Sequence, residues 1–134
     1  AKNDYAELLK TLTNGLDETV QINAHLEIDE NINWEIVPAV IKMHSYRILQ
    51  ESISNAIKHS NAKNLYVSIL QDTEVLLLEI RDDGKGFDAN QESASLGIKN
   101  IKYRAGEMQG KCEISSSSKG TSIAVTIPFK IVKK

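Results

Sequence analysis

The sequence predicts an α+β domain in which helices cover one face of a mixed, mostly antiparallel sheet. Three observations support this fold class. Apolar residues recur at helical spacing from Val37 to Ser60, two aliphatic and β-branched runs then form a hairpin, and a second helical pattern precedes two final strands. Because helices and paired strands come in blocks, a layered arrangement is favoured over a doubly wound parallel sheet.

The first half of the chain is expected to hold two helices with a strand between them. Leucines recur at helical spacing near the start, so residues 1–22 are predicted as an amphipathic helix that could continue an upstream element. An extended piece follows at His25–Asp29, and Val37–Ser60 carries the strongest helical pattern, with Pro38 near its beginning. The periodic leucines are Leu8, Leu9, Leu12 and Leu16.

The second half is expected to form a hairpin, a helix and two closing strands. The charged loop Asp82–Gly86 follows the hairpin, and the polar stretch Asp88–Ser95 has no apolar period, so residues 88–97 are predicted to form a mobile lid. The predicted elements are the strands Leu65–Gln71 and Val75–Arg81, the helix Ile98–Met108, and the strands Lys111–Ser116 and Ser122–Phe129.

Length and composition indicate one globular domain. The chain has 134 residues, of which 41% are hydrophobic and 25% are charged, and these values suit a single domain that buries a core. A formal net charge of −2 argues against a nucleic-acid partner, because it offers no basic field for a phosphate backbone. The single cysteine, Cys112, and the lack of a signal-peptide pattern or an apolar run of about 20 residues favour a cytoplasmic location.

The long helix carries a polar stripe whose chemistry suits a magnesium nucleotide. At about 100° per residue, a carboxylate, an amide, an ammonium and an imidazole fall within one quadrant, opposite an apolar face. Oxygen ligands suit Mg²⁺, and N–H donors suit phosphate. A merely solvated face is the alternative, and the stripe alone would favour it. The stripe is Glu51, Asn55, Lys58 and His59, and the apolar face is Leu49, Ile53, Ala56 and Ile57.

A glycine-bearing turn follows the predicted hairpin. It places the carboxylate of Asp82 at a strand end and Gly84 and Gly86 in the turn, which lets backbone approach a ligand closely. An ordinary turn is the alternative. A calcium-binding EF-hand is excluded, because Ser93 occupies the position of the twelfth-residue glutamate, and no GxxxxGK[ST] phosphate loop is present.

Two further glycines stand before predicted elements. Gly97 precedes the second helix, whose first amides could receive phosphate oxygens; an ordinary helix N-cap is the alternative, and Gly97 alone would favour it. Gly120 and Thr121 precede the last strand, where the Thr121 hydroxyl could contact a ligand or simply begin the strand. The two other histidines are less informative: His25 is predicted to be structural, and His44 to lie at the surface or at a pocket rim.

In this order, these motifs resemble those of the histidine kinase and GHKL ATPase superfamily, which also includes gyrase, the MutL repair ATPases and heat-shock chaperone ATPases. The run Tyr46–Ala62 is similar to the N box of nitrate-sensor and degradation-sensor type kinases. The resemblance covers residues 25–129. The glycine boxes correspond to Asp82, Gly84 and Gly86, then to Gly97 and Ile98 with Arg104 downstream, and finally to Gly120 and Thr121 before Ile127, Pro128 and Phe129.

The resemblance implies a Bergerat-type two-layer α/β sandwich with an ATP lid, binding ATP and Mg²⁺. Asp82 would accept a hydrogen bond from the adenine amino group. Asn55 would coordinate Mg²⁺, with Glu51 as a second ligand or water-orienting group, and Lys58 and His59 would contact phosphate or ribose. Glu51, Asn55 and Lys58 are thus the implied catalytic residues. The other implied ATP contacts are Gly84 and Gly86 near the base, Gly97 and Ile98 at the phosphates, Arg104, and Thr121 at the pocket floor.

The implied function is that of the ATP-binding catalytic domain of a sensor histidine kinase, which transfers the γ-phosphoryl group to a histidine on a separate dimerisation domain and serves a response regulator. No complete helical hairpin fits before residue 25, so this fragment is expected to be monomeric with negligible self-phosphorylation. Ser95 replaces a usual glycine, which predicts weaker contact with phosphate. Two alternatives stay open: a free-standing serine kinase of anti-sigma-factor type, and a degenerate interaction module.

Overall fold

A five-stranded sheet forms one layer of the domain. The computed structural model describes residues 5, 7–12, 22–86 and 92–129, without the side chains of residues 59–60 and 92–95. The strand order is β1-β2-β3-β5-β4, with β1 parallel to β2 and every other pair antiparallel, which confirms the predicted fold class. The strands are β1 (Asn23–Ile28), β2 (Asn64–Asp72), β3 (Val75–Asp82), β4 (Lys111–Ser117) and β5 (Gly120–Pro128).

Helices form the second layer, on one face of the sheet. They are α1 (residues 7–12), α2 (Ala39–Asn55) and α3 (Glu92–Glu107). Helix α2 begins after Pro38, whose carbonyl accepts the first helical hydrogen bonds, from the backbone N–H groups of Ile41 and Lys42. No helix in the described ranges has the length and apolarity that crossing a bilayer would require.

Alternating burial along the strands explains why only one face is covered. In β2, Leu65, Val67 and Ile69 are buried against the helices, while Tyr66 and Leu70 on the other face are exposed. Helix α2 places its own apolar stripe on the same core. The buried core includes Ile41, Ile48, Leu49 and Ile53 of α2, Leu76, Leu78 and Ile80 of β3, Ile101 and Ala105 of α3, and Ile123, Val125 and Ile127 of β5.

Helix α1 is anchored to the rest of the domain by an aromatic residue. Tyr5 is buried, its ring centroid lies 4.6 Å from that of Trp34, and its hydroxyl is hydrogen-bonded to Ser45 of α2. Leu9 is also buried, as its helical spacing predicted. The extent of this helix over residues 1–22 stays a prediction, because residues 13–21 lie outside the described part of the chain.

The anchoring tyrosine predicts a specific alkaline instability. Burial raises the pKa of Tyr5 from 10.0 to about 12, so its stabilising contribution is complete below pH 10 and is lost as the pH rises toward 12. Between about pH 9 and pH 11, we expect the free energy of unfolding of the wild type to fall by about 1 kcal/mol more than that of Tyr5→Phe. Urea denaturation of both proteins measures this, and identical pH dependence would contradict it.

The start of α3 differs from the prediction. The second helix was expected to begin at Ile98, after a lid over residues 88–97, but α3 begins at Glu92 and includes Gly97 in its interior. That boundary was wrong because the first turns of α3 present no apolar period, and Leu96 is 58% exposed. Residues 88–91 of the predicted lid lie outside the described residues, so the lid itself stays a prediction.

Candidate functional site

Helices α2 and α3 meet closely at the polar stripe of α2. A Cβ placed on the buried Gly97 would lie 2.8 Å from Oε1 of Glu51 and 2.9 Å from both side-chain polar atoms of Asn55. The structure therefore brings three of the predicted site residues together: Glu51, Asn55 and Gly97. A side chain at this position would displace the ends of the Glu51 and Asn55 side chains, so the glycine leaves them room.

The side-chain nitrogen of Asn55 is buried and has no hydrogen-bond partner within the described part of the chain. Nδ2 of Asn55 is the one buried side-chain polar atom without a hydrogen bond in the described residues. A buried unsatisfied donor costs about 1–3 kcal/mol, so such groups call for an explanation, and a ligand site is one. A residue whose role is to bind a ligand can carry such a cost in the ligand-free protein.

The donor set at this contact fits Mg²⁺ bound together with a nucleotide. Glu51 offers carboxylate oxygens and Asn55 an amide oxygen, which are ligands that Mg²⁺ accepts. Within the described residues, no group of three or more His, Cys, Asp or Glu side chains could hold a metal ion. Mg²⁺ commonly binds through one or two side chains plus substrate phosphates, so two protein ligands suffice.

The stripe does not continue as the helical wheel predicted. Residues Ala56–Ser60 form a π-helical turn, which has more residues per turn than an α-helix, so the wheel no longer applies after Asn55. Lys58 is exposed and lines a separate depression of about 300 Å³ beside Leu12 and Ile57. The side chain of His59 lies outside the described residues. The ATP contacts of Lys58 and His59 stay predictions.

A second set of predicted residues meets where β3 ends beside β5. Asp82 is the last residue of β3 and is 8% exposed, and its Oδ1 accepts a hydrogen bond of 2.9 Å from the backbone N–H of Gly84. Thr121 lies opposite Asp82 in the register of β5 and is also buried. Its hydroxyl is hydrogen-bonded to that of Ser116 at 3.0 Å. The predicted adenine-pocket residues therefore lie together.

Two glycines in this region are required by the protein's own backbone. Gly86 has φ +80°, and a Cβ there would lie 2.3 Å from the carbonyl oxygen of Ser117. Gly120 has φ +133°, and a Cβ there would lie 2.0 Å from the carbonyl oxygen of Asp82. At Gly86, where a close approach to a ligand was predicted, the structure shows a close approach to the protein's own backbone.

Arg104 lies apart from the other predicted contacts. Its Nη1 donates a hydrogen bond of 3.2 Å to Nδ1 of His44, because a guanidinium has no acceptor. Gly97 faces Asn55 and Arg104 faces His44, so α2 and α3 run antiparallel, and Arg104 lies about 10 Å along α3 from Gly97. His44 is buried between the helices, which corrects its predicted place at the surface or pocket rim. Ile98 packs its side chain against the core.

Asp83 is a residue that the sequence reasoning missed. Its carboxylate accepts hydrogen bonds from the backbone N–H groups of Lys63 and Asn64 and from the side chain of Asn64. The bond from the Asn64 side chain, followed by those from the backbone, holds the pKa of Asp83 below its ordinary value. The sequence does contain a clue, because Asp83 directly follows Asp82 at the end of a strand. Successive side chains of a strand point to opposite faces, so Asp83 had to point away from Asp82.

A family model matches the part of the chain that holds this whole site. The model, described as histidine kinase-, DNA gyrase B- and HSP90-like ATPase, matches residues 41–131. The chain belongs to this family. All sequence-predicted site residues of this ATPase domain, from Glu51 to Thr121, fall within the matched range.

Similar proteins include bacterial sensor proteins. Sensor protein VraS of Staphylococcus haemolyticus (strain JCSC1435) is 36% identical over 125 residues, which are 90% of this chain and 36% of that protein. VraS of Staphylococcus aureus (strain COL) is 36% identical over 126 residues, with the same shares. This ATPase domain thus spans 36% of the length of these relatives.

Solved histidine kinases share the fold. Histidine kinase AdeS of Acinetobacter baumannii has a TM-score of 0.71 at 16% identity, covering 94% of this chain and 64% of that one. Full-length ShkA in complex with AMPPNP has a TM-score of 0.73 at 16% identity, covering 100% of this chain and 32% of that one. The predicted membership of the histidine kinase and GHKL ATPase superfamily is confirmed.

Proposed function

We propose that this ATPase domain binds Mg-ATP between α2, α3 and the ends of β3 and β5, and presents the γ-phosphoryl group to a histidine on a separate dimerisation domain. The observation that carries the proposal is Nδ2 of Asn55, which is buried beside the carboxylate of Glu51 without a hydrogen-bond partner among the described residues and could donate to a phosphate oxygen. These two residues would hold Mg²⁺. When bound, Mg²⁺ would neutralise charge on the phosphates.

The adenine end of the site is assigned to Asp82. Its carboxylate is buried at a strand end and accepts a hydrogen bond from the backbone N–H of Gly84, and an ionised carboxylate can accept about four hydrogen bonds in all. It would accept a hydrogen bond from the amino group of adenine, a donor that guanine lacks at that position. Thr121 would form the floor of this pocket. Specificity would then follow from a buried acceptor that guanine leaves unpaired.

Phosphoryl transfer requires alignment and charge neutralisation more than covalent chemistry from the protein. The domain would supply the nucleotide half of this arrangement. Lys58 and His59 would contact phosphate or ribose. Gly97 and Ile98 lie beyond the first turn of α3, where backbone N–H groups are used within the helix, so they are not proposed as donors to phosphate. An imidazole of the acceptor domain would attack the γ-phosphorus in line as the bond to the β-phosphate oxygen breaks, leaving ADP.

The parent protein is proposed to be a longer sensor kinase of the nitrate-sensor and degradation-sensor type. The similarity of Tyr46–Ala62 to the N box of those kinases and the sensor-protein relatives support this. The dimerisation domain and a response regulator would be its partners. A cytoplasmic location of this domain agrees with its single cysteine. The parent is proposed to be anchored in the membrane.

Nucleotide titration of an Asp82 variant tests the proposal. We expect Asp82→Ala to bind ATP in the presence of Mg²⁺ at least about tenfold more weakly than the wild type, because it loses a buried, charged acceptor. Isothermal titration calorimetry measures both affinities, with GTP as the specificity control. The matched control is Asp72→Ala, which removes an exposed aspartate at the opposite end of β3's hairpin.

The possible outcomes separate the candidate functions. Saturable ATP binding that is weakened by Asp82→Ala but not by Asp72→Ala supports the nucleotide site. Absence of ATP binding, or binding that is indifferent to Asp82, would contradict the proposal and favour an interaction module with a retained fold. Transfer to a serine of a separate partner, with none to a histidine, would favour the serine kinase alternative.

A further inference from the structure

The carboxylate of Asp83 joins the end of β3 to the chain that leaves α2. Oδ1 of Asp83 accepts hydrogen bonds from the backbone N–H groups of Lys63 at 2.9 Å and Asn64 at 2.8 Å, and Oδ2 accepts one from Nδ2 of Asn64 at 2.8 Å. The backbone N–H of Asp83 also donates to the carbonyl of Asn64 at 3.3 Å. We call these three residues the Asp83 clamp.

The carboxylate of Asp83 is ionised at neutral pH, and its hydrogen bonds to Lys63 and Asn64 are intact. Hydrogen bonds from the side chain and backbone of Asn64, and from the backbone of Lys63, lower the pKa of Asp83. A lowered carboxyl pKa stabilises the folded state above the unfolded value of 3.8, and this contribution is lost only as the pH falls through the folded value. These bonds therefore hold across the physiological range.

The clamp acts on the backbone that carries Asp82. On the β2 side, Asp83 is tied to Asn64. On the β5 side, Gly120 approaches so closely that a Cβ there would lie 2.0 Å from the carbonyl oxygen of Asp82 and 3.2 Å from Cα of Asp83. The peptide between Asp82 and Asp83 is thus held between two strands. Asp82 is buried and Asp83 exposed, so the two carboxylates point to opposite sides.

The same clamp reaches the helix that carries Asn55. After α2 and its π-helical turn, Asn61 adopts the left-handed conformation with φ 54°, and the chain reaches Lys63 two residues later. The Asp83 clamp therefore connects the exit of the helix that holds the proposed metal ligands to the strand that holds the proposed adenine acceptor.

We infer that Asp83 is a positioning residue for adenine selection, which sets the place of the Asp82 carboxylate relative to α2 without contacting the nucleotide. This inference rests on the proposed role of Asp82. Its physical basis is that an acceptor displaced by about 1 Å loses much of a directional hydrogen bond to the base. The hydrogen bonds of Asp83 go to Lys63 and Asn64 and not to the residues proposed to contact phosphate, so we expect its loss to affect the adenine end of the site first.

Exchange of the clamp residues tests this inference. In Asp83→Asn, the new side-chain NH₂ group would replace Oδ2 and face the NH₂ group of Asn64, which is also a donor. Adding Asn64→Asp would again place one donor opposite one acceptor. We expect Asp83→Ala to weaken Mg-ATP binding about tenfold and leave Mg-GTP binding unchanged, and Asp83→Asn to show a smaller loss that Asn64→Asp largely reverses. Calorimetric titration at a temperature where circular dichroism shows every variant folded measures these affinities.

Each other outcome overturns the inference in a recognisable way. Equal losses for ATP and GTP would mean a general structural role. An ATP affinity unchanged in Asp83→Ala but lost in Asp82→Ala would refute the positioning role and leave the proposed function standing. Binding indifferent to Asp82→Ala would refute both. If Asp83→Ala does not fold, the comparison of Asp83→Asn with the exchanged pair decides, and failure of the exchange to restore ATP binding refutes the inference.

Discussion

Replacing Asn55 with alanine is expected to abolish the effect of Mg²⁺ on ATP binding while leaving the domain at least as stable as the wild type. The amide oxygen of Asn55 is a proposed metal ligand, so its loss should reduce phosphoryl transfer to an acceptor domain about 100-fold or more. The amide nitrogen is buried without a partner, so its removal takes away a cost and no hydrogen bond. Function and stability should therefore change in opposite directions.

Three measurements examine this expectation. Calorimetric titration of ATP with Mg²⁺ or with EDTA gives the metal-dependent part of the affinity, and urea denaturation gives the free energy of unfolding. Ser54→Ala, one residue earlier on α2, serves as the control and should retain the Mg²⁺ effect. Asn55→Asp keeps an oxygen ligand and should retain part of it. A full Mg²⁺ effect in Asn55→Ala would show that Asn55 does not hold the metal.

Replacing Gly120 with alanine is expected to destabilise the domain by about 3–5 kcal/mol. The added Cβ would lie 2.0 Å from the carbonyl oxygen of Asp82, and this neighbour is backbone in a paired strand that cannot move aside cheaply. The φ of +133° adds strain for any residue with a side chain. Domains have about 5–15 kcal/mol of stability in all, so this loss would remove a large share of it.

Gly106 provides the matched control for this substitution. It lies in α3, and a Cβ there would meet nothing within 4 Å. Gly106→Ala should therefore stabilise the domain by about 0.5–1 kcal/mol through helix propensity. Urea denaturation of both variants against the wild type measures the contrast. A Gly120→Ala protein within about 1 kcal/mol of the wild type would mean that β3 and β5 separate easily at this end.

Local periodicity predicted most of the architecture. The segment Val37–Ser60 and the hairpin strands were found to within about two residues, because burial on one side of a helix or strand leaves a repeating apolar pattern in the sequence. The start of α3 and the π-helical turn Ala56–Ser60 left no such pattern. The spacing of apolar residues indicates neither the packing of α3 against α2 nor a local change of helical pitch.

The candidate site shows the same division. Residue type and order were enough to indicate a carboxylate and an amide for Mg²⁺ on one helix, and an aspartate at a strand end for adenine, because ligand chemistry depends on the atoms a side chain offers. The sequence could not show that Arg104 pairs with His44, that Lys58 lines a different depression, or that Asp83 ties β3 to β2. Those facts depend on contacts between residues 19 to 60 positions apart along the chain, which only the tertiary structure creates.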